Sequence, residues 1–157
     1  MQMTVTYTGL LAPPPPTRAE RIAWLLTQPQ YEPQTKHHFF GGLYCREVYR
    51  DAGALVVGRV HRKEHFYQIV SGSVMITQDD GKATRVDAPA LLKSSPGTNR
   101  TVLSLEPTVC MTWHATKATT PEEAEAELLE PEEVSAYDAH NRVKPEYLTA
   151  NLQEVLS

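Results

Sequence analysis

From Lys36 to Ala115 the chain is a succession of short β-branched and aromatic runs, interrupted by Gly41-Gly42, Asp51-Ala52-Gly53, Ser71-Gly72, Asp79-Asp80-Gly81 and Ser95-Pro96-Gly97. No run between these interruptions has the length or the 3.6-residue period of a helix, and each has the composition of a strand. About eight strands in roughly eighty residues predict a jelly roll or small barrel, which removes the problem of open sheet edges by folding the sheets over one another. Asp80-Gly81, between VMITQ and KATRV, is the strongest hairpin signal, because a tight primed turn requires the positive φ that glycine tolerates.

The flanks read differently. Thr4 to Thr8 is strand-like and is followed by the Pro13 to Pro16 run, an extended spacer that can be neither helix nor inner strand. Thr17-Arg18-Ala19-Glu20 has capping-box spacing, so a first helix is expected over about Arg18 to Gln28, before Pro29. Thr120-Pro121-Glu122-Glu123 repeats that signal, with proline at the first helical position and AEAELL following. Between Pro131 and Ser157 lie two weaker helical candidates. Leu148, Leu152 and Val155 share one face there, suited to packing on the barrel or on a neighbouring subunit. The expected organisation is an N-terminal strand, spacer and helix (1–35), a β domain (36–116) and a C-terminal helical extension (117–157).

Charge and composition exclude some function classes. A net charge of −4 without a Lys/Arg cluster provides no footprint for a phosphate backbone, so no nucleic-acid partner is expected. No apolar stretch is long enough to cross a bilayer, and MQMTVTYTG has neither a basic segment nor an apolar run. A cytoplasmic protein without a membrane partner is expected. Cys45 and Cys110 show no metal or redox spacing and are expected to be small buried hydrophobes.

Residues 61–65 read HRKEH. On a helix, H-x-x-E-H is the inverted zincin signature, with both imidazoles on zinc and the glutamate as base. The flanks ALVVGRV and FYQIVSGSV favour strand instead. On a straight strand, residues four apart lie about 13 Å from each other, too far to share one ion. A turn at Arg62-Lys63-Glu64 is therefore expected to bring His61 and His65 to one point.

Those residues resemble the first cupin motif, which runs Gly, His-x-His, three or four residues, Glu, six residues, Gly. Anchored on Gly72, the motif's glutamate falls on His65, its second histidine on His61 and its first on Arg59. SPGTNR matches the second motif, with Gly97 in the glycine place and Arg100 where the last ligand stands. Two of the usual ligands are thus arginine, which cannot ligate a metal. Four blocks in order, HHFFGGLYCREV, GRVHRKEH, SSPGTNR and TVCMTWHAT, are similar to small cupin-like proteins encoded in bacteriophage and prophage genomes. This chain departs from the group at Cys110, where tryptophan is usual, and at Phe66-Tyr67, where a smaller polar pair is common.

The resemblance implies a mainly β fold, a single cupin jelly roll with short flanking helices, self-associated as a dimer or larger homo-oligomer. It also implies a replacement ligand set: His61, His65 and His114, which alternates with Cys110 and Thr112 on one strand face. Three imidazoles and a water suit zinc, and imidazole also suits nickel, iron or copper. Arg59 and Arg100 are placed toward the cavity, where guanidinium groups would hold a small anionic molecule; their alternative is a salt bridge, for example to Glu47 or Glu64. His38 is a reserve ligand or supporting donor, and Glu64 a candidate acid or base. No residue is assigned a catalytic role. Two function classes follow: a metal-binding protein with an anionic ligand, working in the host cytoplasm if phage-encoded, or a non-catalytic platform built on the same shell.

Overall fold

A computed structural model describes residues 2–6, 17–78, 80–132 and 134–148. In chain order the elements are β1 (Gln2–Thr6), α1 (Arg18–Leu26), β2 (Gln34–Phe40), β3 (Leu43–Arg50), β4 (Ala54–Gly58), β5 (His65–Ser71), β6 (Ser73–Thr77), β7 (Ala83–Asp87), β8 (Ala90–Ser94), β9 (Thr101–Ser104), β10 (Thr108–Ala115) and α2 (Pro121–Leu128). They form two five-stranded sheets, β1-β4-β9-β6-β7 and β2-β3-β10-β5-β8.

The strand order has a simple origin. β3 pairs β10, β4 pairs β9, β5 pairs β8 and β6 pairs β7, all antiparallel, as in one long hairpin whose tip is the turn near Asp80-Gly81. Rolling that hairpin brings β10 beside β5 and β9 beside β6, which divides the strands into two facing sheets. This is a jelly roll. β1 and β2 extend one edge of each sheet by pairing with β4 and β3. The turn at Gly81, with φ of +82°, is the hairpin signal read from the sequence.

Gly72 joins β5 to β6 at a φ of +87°, and a Cβ there would stand 2.4 Å from the Pro107 carbonyl oxygen. Only glycine fits such a close approach of two backbones.

Between the sheets, Tyr67, Ile69, Val74, Ile76, Val102 and Cys110 form an apolar core. A second cluster of Leu25, Leu55, Val57, Ala136, Tyr137 and Val143 lies on the opposite face of β4, beneath α1 and the C-terminal segment. That cover explains why all of β4 is buried on both faces. α2 packs through Ala124, Leu128 and Leu129 against Tyr44.

Both threonines cap their helices: the hydroxyls of Thr17 and Thr120 accept from the backbone amides of Glu20 and Glu123, and the Glu123 carboxylate accepts from the Thr119 amide. α1 ends at Leu26, short of the expected Gln28, where the Thr27 hydroxyl donates to the Trp24 carbonyl at 2.6 Å and competes with continuation of the helix. The C-terminal extension is less helical than expected. Beyond α2 its described residues form an irregular segment closed by a Tyr137–Val143 bridge, and helix returns only at residues 145–148. Bonds to a distant part of the same chain replace helical ones there: the Val143 amide donates to Glu32 and the Tyr137 hydroxyl to the Tyr31 carbonyl. Leu148 is exposed, while Leu152, Val155 and the Pro13 to Pro16 spacer lie outside the described residues. Among the described residues, no helix is long and apolar enough to cross a membrane.

Candidate metal and anion site in the barrel

The HRKEH segment is not a helix. β4 ends at Gly58 and β5 begins at His65, so Arg62 and Lys63 lie in the bend between two strands on opposite sheets. The bend is pinned on both sides. The Arg62 amide donates to the Leu128 carbonyl, the Glu130 amide to the Val60 carbonyl, and the Gly97 amide to the His61 carbonyl, at 2.8 to 2.9 Å. These bonds aim His61 at the barrel interior, where His65 arrives from β5 and His114 from β10, opposite Tyr44.

The rings are close together. Centroids lie 4.2 Å apart for His61 and His65, 4.6 Å for His65 and His114, and 5.3 Å for His61 and His114. All three histidines are buried, His114 to 1% exposure. Burial, then the neighbouring imidazoles and the Arg46 guanidinium, hold His61 down to about 2. Burial, His65 and Arg46 likewise hold His114 down to about 3. His65 is also lowered, mainly by burial. The cluster is therefore neutral at physiological pH, the protonation state a metal ligand requires.

Two of the rings are oriented by backbone groups. His65 Nδ1 stands 3.2 Å from the Lys63 carbonyl oxygen, so Nδ1 carries the proton and Nε2 keeps a free lone pair. His61 hydrogen-bonds to the Arg59 backbone. His114 Nε2 is buried without a hydrogen-bond partner. Such second contacts are what position imidazoles for a metal, so the donor set fits a divalent transition ion in its chemistry. The ring orientations differ from a ligating set: His114 stacks on His61 and His65 at interplanar angles of 11° and 26°, and His61 and His65 are tilted by 34°. In-plane lone pairs of stacked rings do not meet, and among the described residues no group of three or more His, Cys, Asp or Glu stands in a metal-holding arrangement. Rotation about the side-chain torsions is needed to close the three nitrogens on one ion.

The remaining expected residues separate. Arg100 stays by the cluster: a small cavity of about 30 Å³ touches His61, His65, Tyr67, Arg100 and Thr112. Its guanidinium donates to the Ser94 hydroxyl at 2.6 Å and lies over the Tyr67 ring. Arg59 also borders this cavity, but its three nitrogens are engaged elsewhere. They meet Glu132 at 3.0 Å, Glu125 at 3.6 Å and the Glu130 carbonyl at 2.7 Å. The expected anion-binding role for Arg59 thus gives way to a buried ion-pair network that also includes Arg18, bonded to Glu132 at 2.7 Å. The partners are acids of the C-terminal extension rather than Glu47 or Glu64.

His38 is not brought to the cluster; it is exposed on β2, 3.8 Å from Glu47, because strand alternation turns its neighbour His37 inward instead. His37 Nδ1 pairs with the Tyr44 hydroxyl at 2.6 Å. Glu64 is exposed at the bend and borders an outer cleft of about 650 Å³ with Leu43, Phe66, Lys93 and Trp113. Cys45 and Cys110 are both buried free thiols.

Sequence reasoning missed Arg46 and Arg50. β3 buries Tyr44, Arg46, Val48 and Arg50 along one alternating face. The signal was present as alternation, but Cys45, Glu47 and Tyr49 on the other face are no more polar, so the strand's phase was undetermined. The β3–β10 register settles it by setting Tyr44 against His114 and Arg46 against Thr112.

No family model matches the chain, and no curated protein matches it. Solved structures do. An uncharacterized conserved protein with a double-stranded beta-helix domain from Klebsiella pneumoniae subsp. pneumoniae is 17% identical, over 64% of this chain and 86% of that one, with a TM-score of 0.49. A cupin superfamily protein from Desulfitobacterium hafniense is 10% identical over 72% and 97%, with a TM-score of 0.49. A Cupin 2 conserved barrel domain protein from Salinispora arenicola is 11% identical over 55% and 77%, with a TM-score of 0.47. The rolled-hairpin strand order carries the fold by itself: the described chain is a jelly roll of two five-stranded sheets.

Proposed function

We propose that this is a metal-binding cupin-type protein, of the phage and prophage kind that its four sequence blocks resemble, which holds a small anionic ligand inside the barrel. One observation carries the reading: three buried, neutral imidazoles from separate parts of the roll meet within 4.2 to 5.3 Å of one another. His61, His65 and His114 would hold zinc, nickel or iron, which when bound supplies Lewis acidity to a ligand oxygen or to water. The residues themselves do the positioning. The backbone partner of His65 fixes its tautomer, the Arg59 backbone steadies His61, and Arg100 at the cavity edge attracts an anion toward them.

Metal analysis of protein purified without a histidine tag tests this, beside a His61→Ala/His65→Ala variant. Near-stoichiometric metal in the parent and little in the variant is expected. Equal, negligible metal in both after incubation with zinc, nickel and ferrous iron ends the reading.

A second reading concerns self-association. Leu43, Phe66, Val70 and Leu91 are exposed on the outer face of the β2-β3-β10-β5-β8 sheet, beside Trp113. An apolar surface of this kind fits a second copy of the chain and a role as an oligomeric platform. Light scattering of the parent and of Phe66→Asp decides it: a dimer or larger assembly that falls to a monomer is expected, and a monomeric parent refutes it.

A further inference from the structure

Arg46 is the largest fully buried side chain of the described protein, 2% exposed, and among the described residues no carboxylate pairs with it. Its Nε and Nη2 are both buried without a hydrogen-bond acceptor. Those two nitrogens share one edge of the guanidinium, the edge whose parallel N–H groups match the two oxygens of a carboxylate. A buried cation lacking its counter-ion is costly, and proteins satisfy such groups.

The surroundings locate what is missing. Arg46 faces Thr112 across the β3–β10 ladder, and Thr112 faces Tyr67 on β5, so the three form one row on the inner wall. The next inward position on β10 is His114. Thr112 Oγ1 and His114 Nε2 are, like the Arg46 fork, buried and unpartnered. Arg46 lies close enough to disfavour the charged forms of His61 and His114. Burial disfavours the Arg46 charge most; the Tyr44 and Tyr67 hydroxyls and Glu125 offset this in part, Arg50 adds to it, and Glu125 is already in contact with Arg59. The interior is thus electropositive. The cavity of about 30 Å³ is bordered by Thr112 and Tyr67, the other two members of the row, and not by Arg46 itself; it has room for about two water-sized groups. That suits a planar carboxylate end better than a tetrahedral phosphate.

We infer that the barrel interior is a carboxylate-binding site in which the Arg46 fork takes the two oxygens of a small organic acid beside the histidine cluster. This deepens the proposed function by identifying the anion class and its principal contact, and it rests on the interior being the binding site, without depending on the metal.

Titration with acetate tests it, on chelator-treated and on zinc-loaded protein, with acetamide as the neutral isostere and chloride and phosphate at matched ionic strength. The readouts are thermal midpoint and the linewidth of ¹³C-labelled acetate. Acetate should raise the midpoint and broaden its own signal saturably in both forms, while acetamide, chloride and phosphate do neither. Arg46→Met should weaken acetate binding at least tenfold, and Arg46→Lys, which keeps charge but loses the fork, should weaken it several-fold. Both variants should load zinc as the parent does. His61→Ala/His65→Ala should lose zinc and retain acetate.

Parent protein that does not bind acetate, an Arg46→Met protein that binds it as the parent does, or equal effects of chloride and acetate would overturn the inference. The parent titration decides the matter even if Arg46→Met does not fold. Acetate binding by a parent that takes no metal leaves the inference standing and removes the metal reading instead.

Discussion

Acidifying the metal-free protein probes the imidazole cluster directly. His61 and His114 are held down to about 2 and about 3 by burial and by their positive or imidazole neighbours, against about 6.5 in an unfolded chain. Below pH 6.5 each ring is protonated when the chain unfolds but stays neutral while it is folded. The unfolded state then binds more protons, so the stability these groups contribute is complete above pH 6.5 and declines as pH falls toward their folded values. Each limiting slope is about 1.4 kcal/mol per pH unit. Integrated from pH 6.5 to 4.5, the loss is about 2 kcal/mol for each ring and between roughly 4 and 5 for the pair, a large part of an ordinary domain's stability. Urea unfolding of chelator-treated protein at pH 6.5, 5.5 and 4.5 measures it. A His61→Gln/His114→Gln variant subtracts the contribution of the carboxylates. The parent should lose several kcal/mol more than the variant over this range. Parallel curves for the two proteins would show that these rings are solvated or already charged in the folded state, and the description of the cluster would be wrong.

Gly72→Ala should destabilise by about 3 kcal/mol in urea unfolding, since it combines a left-handed φ of +87° with a Cβ 2.4 Å from a backbone oxygen. Arg59→Ala should cost roughly 3 kcal/mol, because it removes one of the two guanidinium groups that neutralise the partly buried Glu132 and leaves only Arg18. It should also speed limited proteolysis within residues 131–144. Tyr44→Phe removes the hydroxyl paired with His37 at 2.6 Å, and a loss of about 1 kcal/mol is expected in the same assay.

How the site reads from sequence depends on how far apart its parts lie along the chain. His61 and His65 could be paired from sequence because a polar bend of three residues separates them, and a local bend needs no knowledge of the rest of the fold. His114 could be joined to them only through a resemblance, since its approach depends on β10 pairing with β5. Arg59 and Arg100 hold equivalent motif positions, yet only Arg100 remains without an acidic partner among the described residues; Arg59 is neutralised by Glu125 and Glu132. Those acids lie 66 and 73 residues away, Glu125 on a helix whose docking against the barrel no local pattern foretold and Glu132 in the irregular segment beyond it. His38 and His37 exchanged roles for a related reason: adjacent strand residues face opposite ways, and the phase of β2 comes from its register on β3.

What the sequence determined alone was local: where strands break, where threonine caps two helices, and that Asp80-Gly81 makes a tight turn. Turn chemistry and capping are decided within a few residues, so they are legible without a fold. Which side chains share the interior was a tertiary decision. Strand phase exchanges every inward residue for its neighbour, and it was the long hairpin rolling on itself that put Arg46 against Thr112 and beside the histidines.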